Sequence, residues 1–260
     1  MKLSKKITKL SLLVLALLGC SLDGEVAFTF EEGNCSVSQE GRAYFKETAE
    51  WLAIYHIFND SSSYSIYRDR LYFPQVFIND IEIRLGKIFD MDTLAERDSV
   101  IQIYDLASNF IEGYKKILLT VDPQEPWIKN LLNKQVPTGN PTFDELYLTL
   151  EYEVEKISRN LPIIILKSNK EELFNVYEVI RRIEESPHSK GIEIITDNIS
   201  PSEKIRIQLE ISEEQDYYFT FFHGWGDCPR GCLYGRYWSF KVDRDCEVEF
   251  LGASGDKIPG

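Results

Sequence analysis

The sequence predicts an α+β fold: an N-terminal helical region, then a mixed β-sheet with one or two helices, ending in a C-terminal antiparallel hairpin. Three observations carry this. From Ser36 to Leu132 apolar residues recur every third or fourth position, the period of an amphipathic helix. Beyond Thr138 alternation by two, the period of a half-buried strand, becomes dominant. Between them Gln135-Val136-Pro137-Thr138-Gly139-Asn140-Pro141 gathers residues that punctuate regular structure. The expected division is therefore a helical region at 36–134, an α+β domain at 138–251 and a tail at 252–260.

Val26, Phe28 and Phe30 share a face and suggest a short strand. Ser36 and Gln39 fit a capping box. The helix behind them places Tyr44, Thr48, Trp51, Leu52, Tyr55 and Phe58 on one side. Pro74 suits the first position of a second helix, striped by Phe77, Ile81, Leu85 and Ile88. Asp92 or Thr93, with Glu96, opens a third. Its spacing through Val100, Tyr104, Ala107, Ile111, Tyr114 and Leu118 predicts one long packing helix. Asp122-Pro123 stops it, and Pro126 starts a short helix through Leu131 and Leu132.

In the second part, Leu146, Leu148, Leu150, Tyr152 and Val154 alternate as a strand would. Leu146, Leu150, Val154 and Ile157 fit a helix as well. Leu161–Leu166 is an apolar run of strand length. Ser168 and Glu171 resemble a cap for an amphipathic helix carrying Leu173, Val176, Tyr177, Ile180 and Ile183. Ile192–Ile195 follows as a strand, so a crossover joining a parallel pair is expected. Ile205, Ile207, Leu209 and Ile211 form the clearest half-buried strand. Tyr217–Phe222, Gly235–Val242 and Cys246–Leu251 complete the set, with Asp243-Arg244-Asp245 as a tight turn.

The amino-terminal segment reads as an address. Lys2, Lys5, Lys6 and Lys9 precede an apolar run, Leu10–Leu18, of nine residues. A membrane-spanning helix needs roughly 18–20, so the run suits a cleaved signal, residues 1–19. Leu17-Leu18-Gly19-Cys20 resembles the lipobox of bacterial lipoproteins. That resemblance implies a diacylated Cys20 as the new N-terminus, with residues 20–35 as anchor and linker. Two acyl chains hold stably where one would exchange. The implied location is the bacterial cell envelope, lipid-anchored. Ser21 resembles the outer-membrane default, with the periplasmic or surface side left open.

The formal net charge is −13, and the four lysines of residues 1–19 lie in a segment without acids. Such acidity disfavours nucleic acid as a partner, because like charges repel and no basic patch offsets them. With 14 Tyr, 15 Phe and 4 Trp the chain has ample material for a core.

Candidate chemistry gathers in His223-Gly224-Trp225-Gly226-Asp227-Cys228-Pro229-Arg230-Gly231-Cys232. Cys228 and Cys232 can close a small loop by disulfide, stapling a hairpin. An alternative is a metal-dependent hydrolase in which His223, Cys228 and Cys232 are ligands, with Asp227 or Cys246 as a fourth. The spacing is Cys-x3-Cys rather than the usual zinc Cys-x2-Cys. Trp225, Tyr234, Tyr237 and Trp238 offer a stacking platform for sugar or peptide, or serve as sheet packing. Trp225, flanked by glycines, is the best exception to packing. Asp227, Tyr234 and Tyr237 are its candidate companions.

The stretch Gly226-Asp227-Cys228-Pro229-Arg230-Gly231-Cys232, followed by Tyr234, Tyr237, Trp238 and Phe240, resembles a segment that ends many uncharacterised secreted bacterial proteins. Thr138-Gly139-Asn140 and Phe143-Asp144-Glu145-Leu146 are similar as well. The resemblance covers residues 138–251 and implies no activity. Cys35 and Cys246 stand outside its pattern. As the remaining pair they are expected to join the start of the mature chain to its last strand, although Cys246 also suits a buried free cysteine beside Val248 and Phe250.

No Gly-x-Ser-x-Gly, His-Glu-x-x-His or phosphate-binding loop occurs. Asp243, Asp245 and Glu247 have calcium-loop spacing, but Val248 stands where such a loop needs glycine. The expectation is a non-enzymatic envelope protein that needs no cofactor. Its partners are a membrane, through the lipid, and a protein or small extracellular ligand.

Overall fold

A computed structural model describes residues 35–59, 63–103, 105–106, 115–157, 162–195, 207–227 and 232–258. The Val26–Phe30 strand, Cys20 with its lipobox, and Cys228 through Gly231 lie outside these residues. The fold is α+β with a helical start and a terminal hairpin, as the patterning predicts, and the described strands form two sheets whose pairings are antiparallel.

Helix α1 (Gln39–Asn59) is capped by Ser38, two residues after the expected Ser36, with the Gly41 amide donating to Ser38 Oγ at 2.9 Å. The Asp90 carboxylate accepts from both the amide and the hydroxyl of Ser38, at 2.7 and 2.5 Å. Helix α2 (Gln75–Phe89) follows Pro74 and runs back along α1. The two cross at glycines: a β-carbon on Gly86 would stand 2.4 Å from Val37 Cγ2, and one on Gly41 3.0 Å from the Gly86 carbonyl oxygen.

The helix expected through Leu118 does not extend that far among the described residues: Asp105 has φ +43° and Leu118 lies in a strand, while Tyr104, Ala107, Ile111 and Tyr114 lie outside them. Helix α3 (Ala95–Asp98) passes into a π-turn (Ser99–Ile103), and Lys116–Val121 is strand β1. Ile117, Leu119 and Val121 are buried in alternation. A short apolar run satisfies both periods, and burial on a sheet decides for the strand. Helix α4 (Pro126–Leu132) begins at its proline as predicted. The Leu146–Val154 ambiguity resolves by division: helix α5 (Pro141–Thr149), then strand β2 (Tyr152–Ile157). Glu151, with φ +48°, marks the change of direction.

Strand β3 (Ile163–Ser168), helix α6 (Val176–Glu185) and strand β4 (Ile192–Ile195) supply the expected strand, helix and strand. The strands do not pair with one another. β1 lies between them, antiparallel to both, in the order β2-β3-β1-β4. The cap of α6 is Asn175 rather than Ser168: its side-chain oxygen accepts from the Tyr177 and Glu178 amides. Ser168 instead ends β3, donating to the Leu150 carbonyl at 2.6 Å. β1 precedes the expected boundary at 135–137, while its partners follow it.

The second sheet is a meander of β5 (Ile207–Ile211), β6 (Tyr217–Trp225), β7 (Tyr234–Val242) and β8 (Val248–Gly255). Tyr217, Phe219 and Phe221 of β6, with Trp238, Phe240 and Val242 of β7, are buried. This inner face meets the helices: Phe45 of α1 lies 6.2 Å from Phe221, and the Arg84 guanidinium of α2 lies 4.2 Å above the Tyr217 ring. Arg84 also bonds Asp80 at 2.8 Å and donates to the Asp243 carbonyl. Cys35 and Cys246 form a disulfide. Cys246 has φ +63° and precedes β8 rather than lying within it.

Candidate functional site

The site is built on the ends of β6 and β7 that run past the helices. Their register pairs Phe221 with Trp238, Phe222 with Tyr237, His223 with Arg236, Gly224 with Gly235, and Trp225 with Tyr234. Directly opposed residues of an antiparallel pair project from the same face, and successive residues from opposite faces. His223, Trp225, Tyr234 and Arg236 therefore continue the inner face that, further along, carries the buried core. Phe222, Gly224, Gly235 and Tyr237 belong to the outer face.

On the inner face the rings form a ledge. His223 and Trp225 are nearly parallel, with centroids 5.8 Å apart and planes 28° apart. Trp225 and Tyr234 are 6.1 Å and 20° apart. These separations fall in the range of interacting aromatic pairs. Unlike Phe221 and Trp238, which are buried, Trp225 is half-buried and Tyr234 is 51% exposed. The face is thus apolar in character yet open to water.

The outer face is organised around two glycines. A β-carbon on Gly235 would stand 2.4 Å from Phe222 Cε2; one on Gly224 would stand 2.5 Å from Cys232 Sγ and 2.8 Å from Phe222 Cζ. The Phe222 ring lies over the glycine pair and tilts against Tyr237 at 4.8 Å. Asp256 fastens the same point, accepting from the Gly235 amide at 3.0 Å while its own amide donates to the Gly235 carbonyl at 2.8 Å.

The structure therefore divides the candidate residues. Trp225 and Tyr234 come together, Tyr237 stands on the opposite face, and Trp238 is core, 3% exposed. Asp227 is exposed beyond the end of β6. Cys232 is disulfide-bonded, to a partner outside the described residues, and Cys246 is bonded to Cys35. Neither sulfur is then a thiolate available to a metal, contrary to the ligand set of the hydrolase alternative. Among the described residues no group of three or more His, Cys, Asp or Glu side chains is placed to hold a metal ion. The Asp243, Asp245 and Glu247 turn is closed by its own backbone: Asp243 Oδ1 accepts from the amides of Asp245 and Glu247, both at 2.9 Å.

Two groups were not singled out from the sequence. Arg236 joins the ledge only through the β6–β7 register, which a loop of unknown geometry hides. Asp80 and Arg84, one turn apart on α2, form a buried polar cluster with Tyr217, which is distant in sequence. Thr138, Asn140 and Asp144, part of the resemblance, are a structural turn: Asp144 accepts from the amides of Thr138 and Gly139 and from Thr138 Oγ1. Asn140 caps α5 through the Phe143 amide. No family model, curated protein or solved structure matches the chain. Among the described residues no helix is long and apolar enough to cross a membrane.

Proposed function

We propose that this is a lipid-anchored protein of the bacterial cell envelope that binds an extracellular ligand, without catalysis, on the ledge of Trp225, Tyr234 and His223. One observation supports the ledge above all. A strand face that is sealed under helices at Phe221 and Trp238 continues into open, near-parallel rings two and four residues further on. Leaving such area in water forgoes about 25 cal/mol per Å² of burial, which a flat ligand would recover. The amino-terminal lysines, apolar run and Gly19-Cys20 support acylation at Cys20 and residence at the outer membrane.

The binding arm is tested by probing glycan and peptide arrays with the protein and with the Trp225→Ala, Tyr234→Ala double variant. Ligand retention by the wild type and not by the variant is expected; equal retention removes the ledge from the proposal. The anchor is tested by feeding cells a labelled fatty acid. Label is expected on the wild type and absent from Cys20→Ser.

A further inference from the structure

Resting on the reading of the ledge as a binding surface, we propose that its ligand is a carboxylate-bearing saccharide, with Arg236 the residue that recognises the carboxylate. Arg236 pairs directly with His223, two residues from Tyr234, so its guanidinium projects from the ledge face. It is half-buried. Among the described residues its side chain has no ion-pair or hydrogen-bond partner, in a chain with 42 acids and 29 Lys and Arg.

The contrast with other described arginines is direct. Arg42 bonds Glu82, Arg84 bonds Asp80, Arg97 bonds Asp98, and Arg181 and Arg182 share Glu178. The carboxylates that flank the ledge do not serve Arg236. Asp256 is committed to the Gly235 amide, and Asp227 is exposed beyond Trp225. A partly desolvated cation without a partner, beside apolar rings, is complementary to an anion that also presents an apolar face. The planar guanidinium offers two parallel N–H donors that match a carboxylate's two oxygens.

The rest of the ligand follows from the rings. A pyranose offers a flat patch of C–H bonds to an indole or phenol face, and hydroxyls at its edge for the Tyr234 hydroxyl. A peptide adding as a strand would bind through its backbone at a sheet edge, whereas the ledge side chains and Arg236 stand on the sheet face. Nucleic acid would need a basic stripe, against a net charge of −13.

The experiment is a titration of the purified protein with trigalacturonate and with its methyl ester, which keeps the rings and removes the charge. The acid is expected to bind about tenfold more tightly than the ester, the worth of one charged hydrogen-bonded contact. Arg236→Gln is expected to abolish that preference while leaving ester binding in place. Arg236→Lys, which keeps charge but not the fork, is expected to restore it only in part. Trp225→Ala is expected to lose both ligands. Equal binding of acid and ester, or an unchanged preference in Arg236→Gln, overturns the carboxylate assignment and leaves the ledge standing. Binding that survives Trp225→Ala overturns the ledge as well. No binding of either sugar, with Trp225-dependent capture of a peptide, overturns the saccharide assignment alone.

Discussion

Asp80 and Arg84 stand one turn apart on α2, and both are buried. Burial pushes the Asp80 carboxyl up, while Arg84 and the Tyr217 hydroxyl pull it down. Arg84 also reaches the Asp243 carbonyl, so one guanidinium ties α2 to the β7–β8 turn. Arg84→Met strands a buried carboxylate and is expected to cost about 3–5 kcal/mol in urea unfolding. The Asp80→Asn, Arg84→Met double variant should regain part of that loss. Glu178 presents the opposite case. Its bonds to Arg181 first, then Arg182, hold its carboxyl below the usual range against the effect of burial. Its folded pKa is thus depressed, so its contribution is present above the unfolded value and is lost as pH falls through the folded one. Acidification from pH 5 should therefore destabilise the wild type more than Glu178→Gln, as followed by urea midpoints. Gly255 is a third sensitive residue: φ is +92°, and a β-carbon would stand 2.2 Å from the Gly235 carbonyl oxygen. The Asp80–Arg84 and Glu178–Arg181/Arg182 pairs lie within one helical turn and are local in sequence, whereas the reach of Arg84 to Asp243 and the approach of Gly255 to Gly235 exist only because the fold joins distant residues.

Elements were more legible than contacts. The alternation at Ile207–Ile211 and Tyr217–Phe222 and the prolines before α2 and α4 state their elements locally, since each rests on neighbouring residues. β1 failed because Lys116–Val121 follows a segment of helical spacing and is too short for its own period to stand out. The start of α6 differs from the expected one because Ser168 and Asn175 are both competent caps: the fold commits the Ser168 hydroxyl to the Leu150 carbonyl, while Asn175 accepts from the Tyr177 and Glu178 amides and donates to the Arg68 carbonyl. The Cys35–Cys246 bridge was open between a disulfide and a buried thiol, because sequence gives no distance. Its loop spans 211 positions. Cys35→Ser with Cys246→Ser should lower stability by about 2–5 kcal/mol, measured by thermal unfolding against the oxidised protein.

At the scale of the molecule, the fold class is legible, and strand pairing crosses the composition shift at 135–141. β1 is an inner strand of the first sheet, and the inner face of the second lies against α1 and α2. A fragment of residues 138–258 lacks all three elements and should show no cooperative unfolding by circular dichroism. The ledge was half legible: Trp225 and Tyr234 could be nominated as aromatics near glycines, whereas their shared face, and the exclusion of Tyr237, required the register of β6 on β7. The disulfide has a mechanical meaning too. Under tension between the chain's two ends, load passes from Cys35 through sulfur to Cys246 and bypasses α1 and every element up to β7. Those residues form a closed ring that cannot lengthen. Of the described residues, only those after Cys246 can extend, at about 3.4 Å each. The oxidised molecule is a short, stiff link, and its reduced form a long spring.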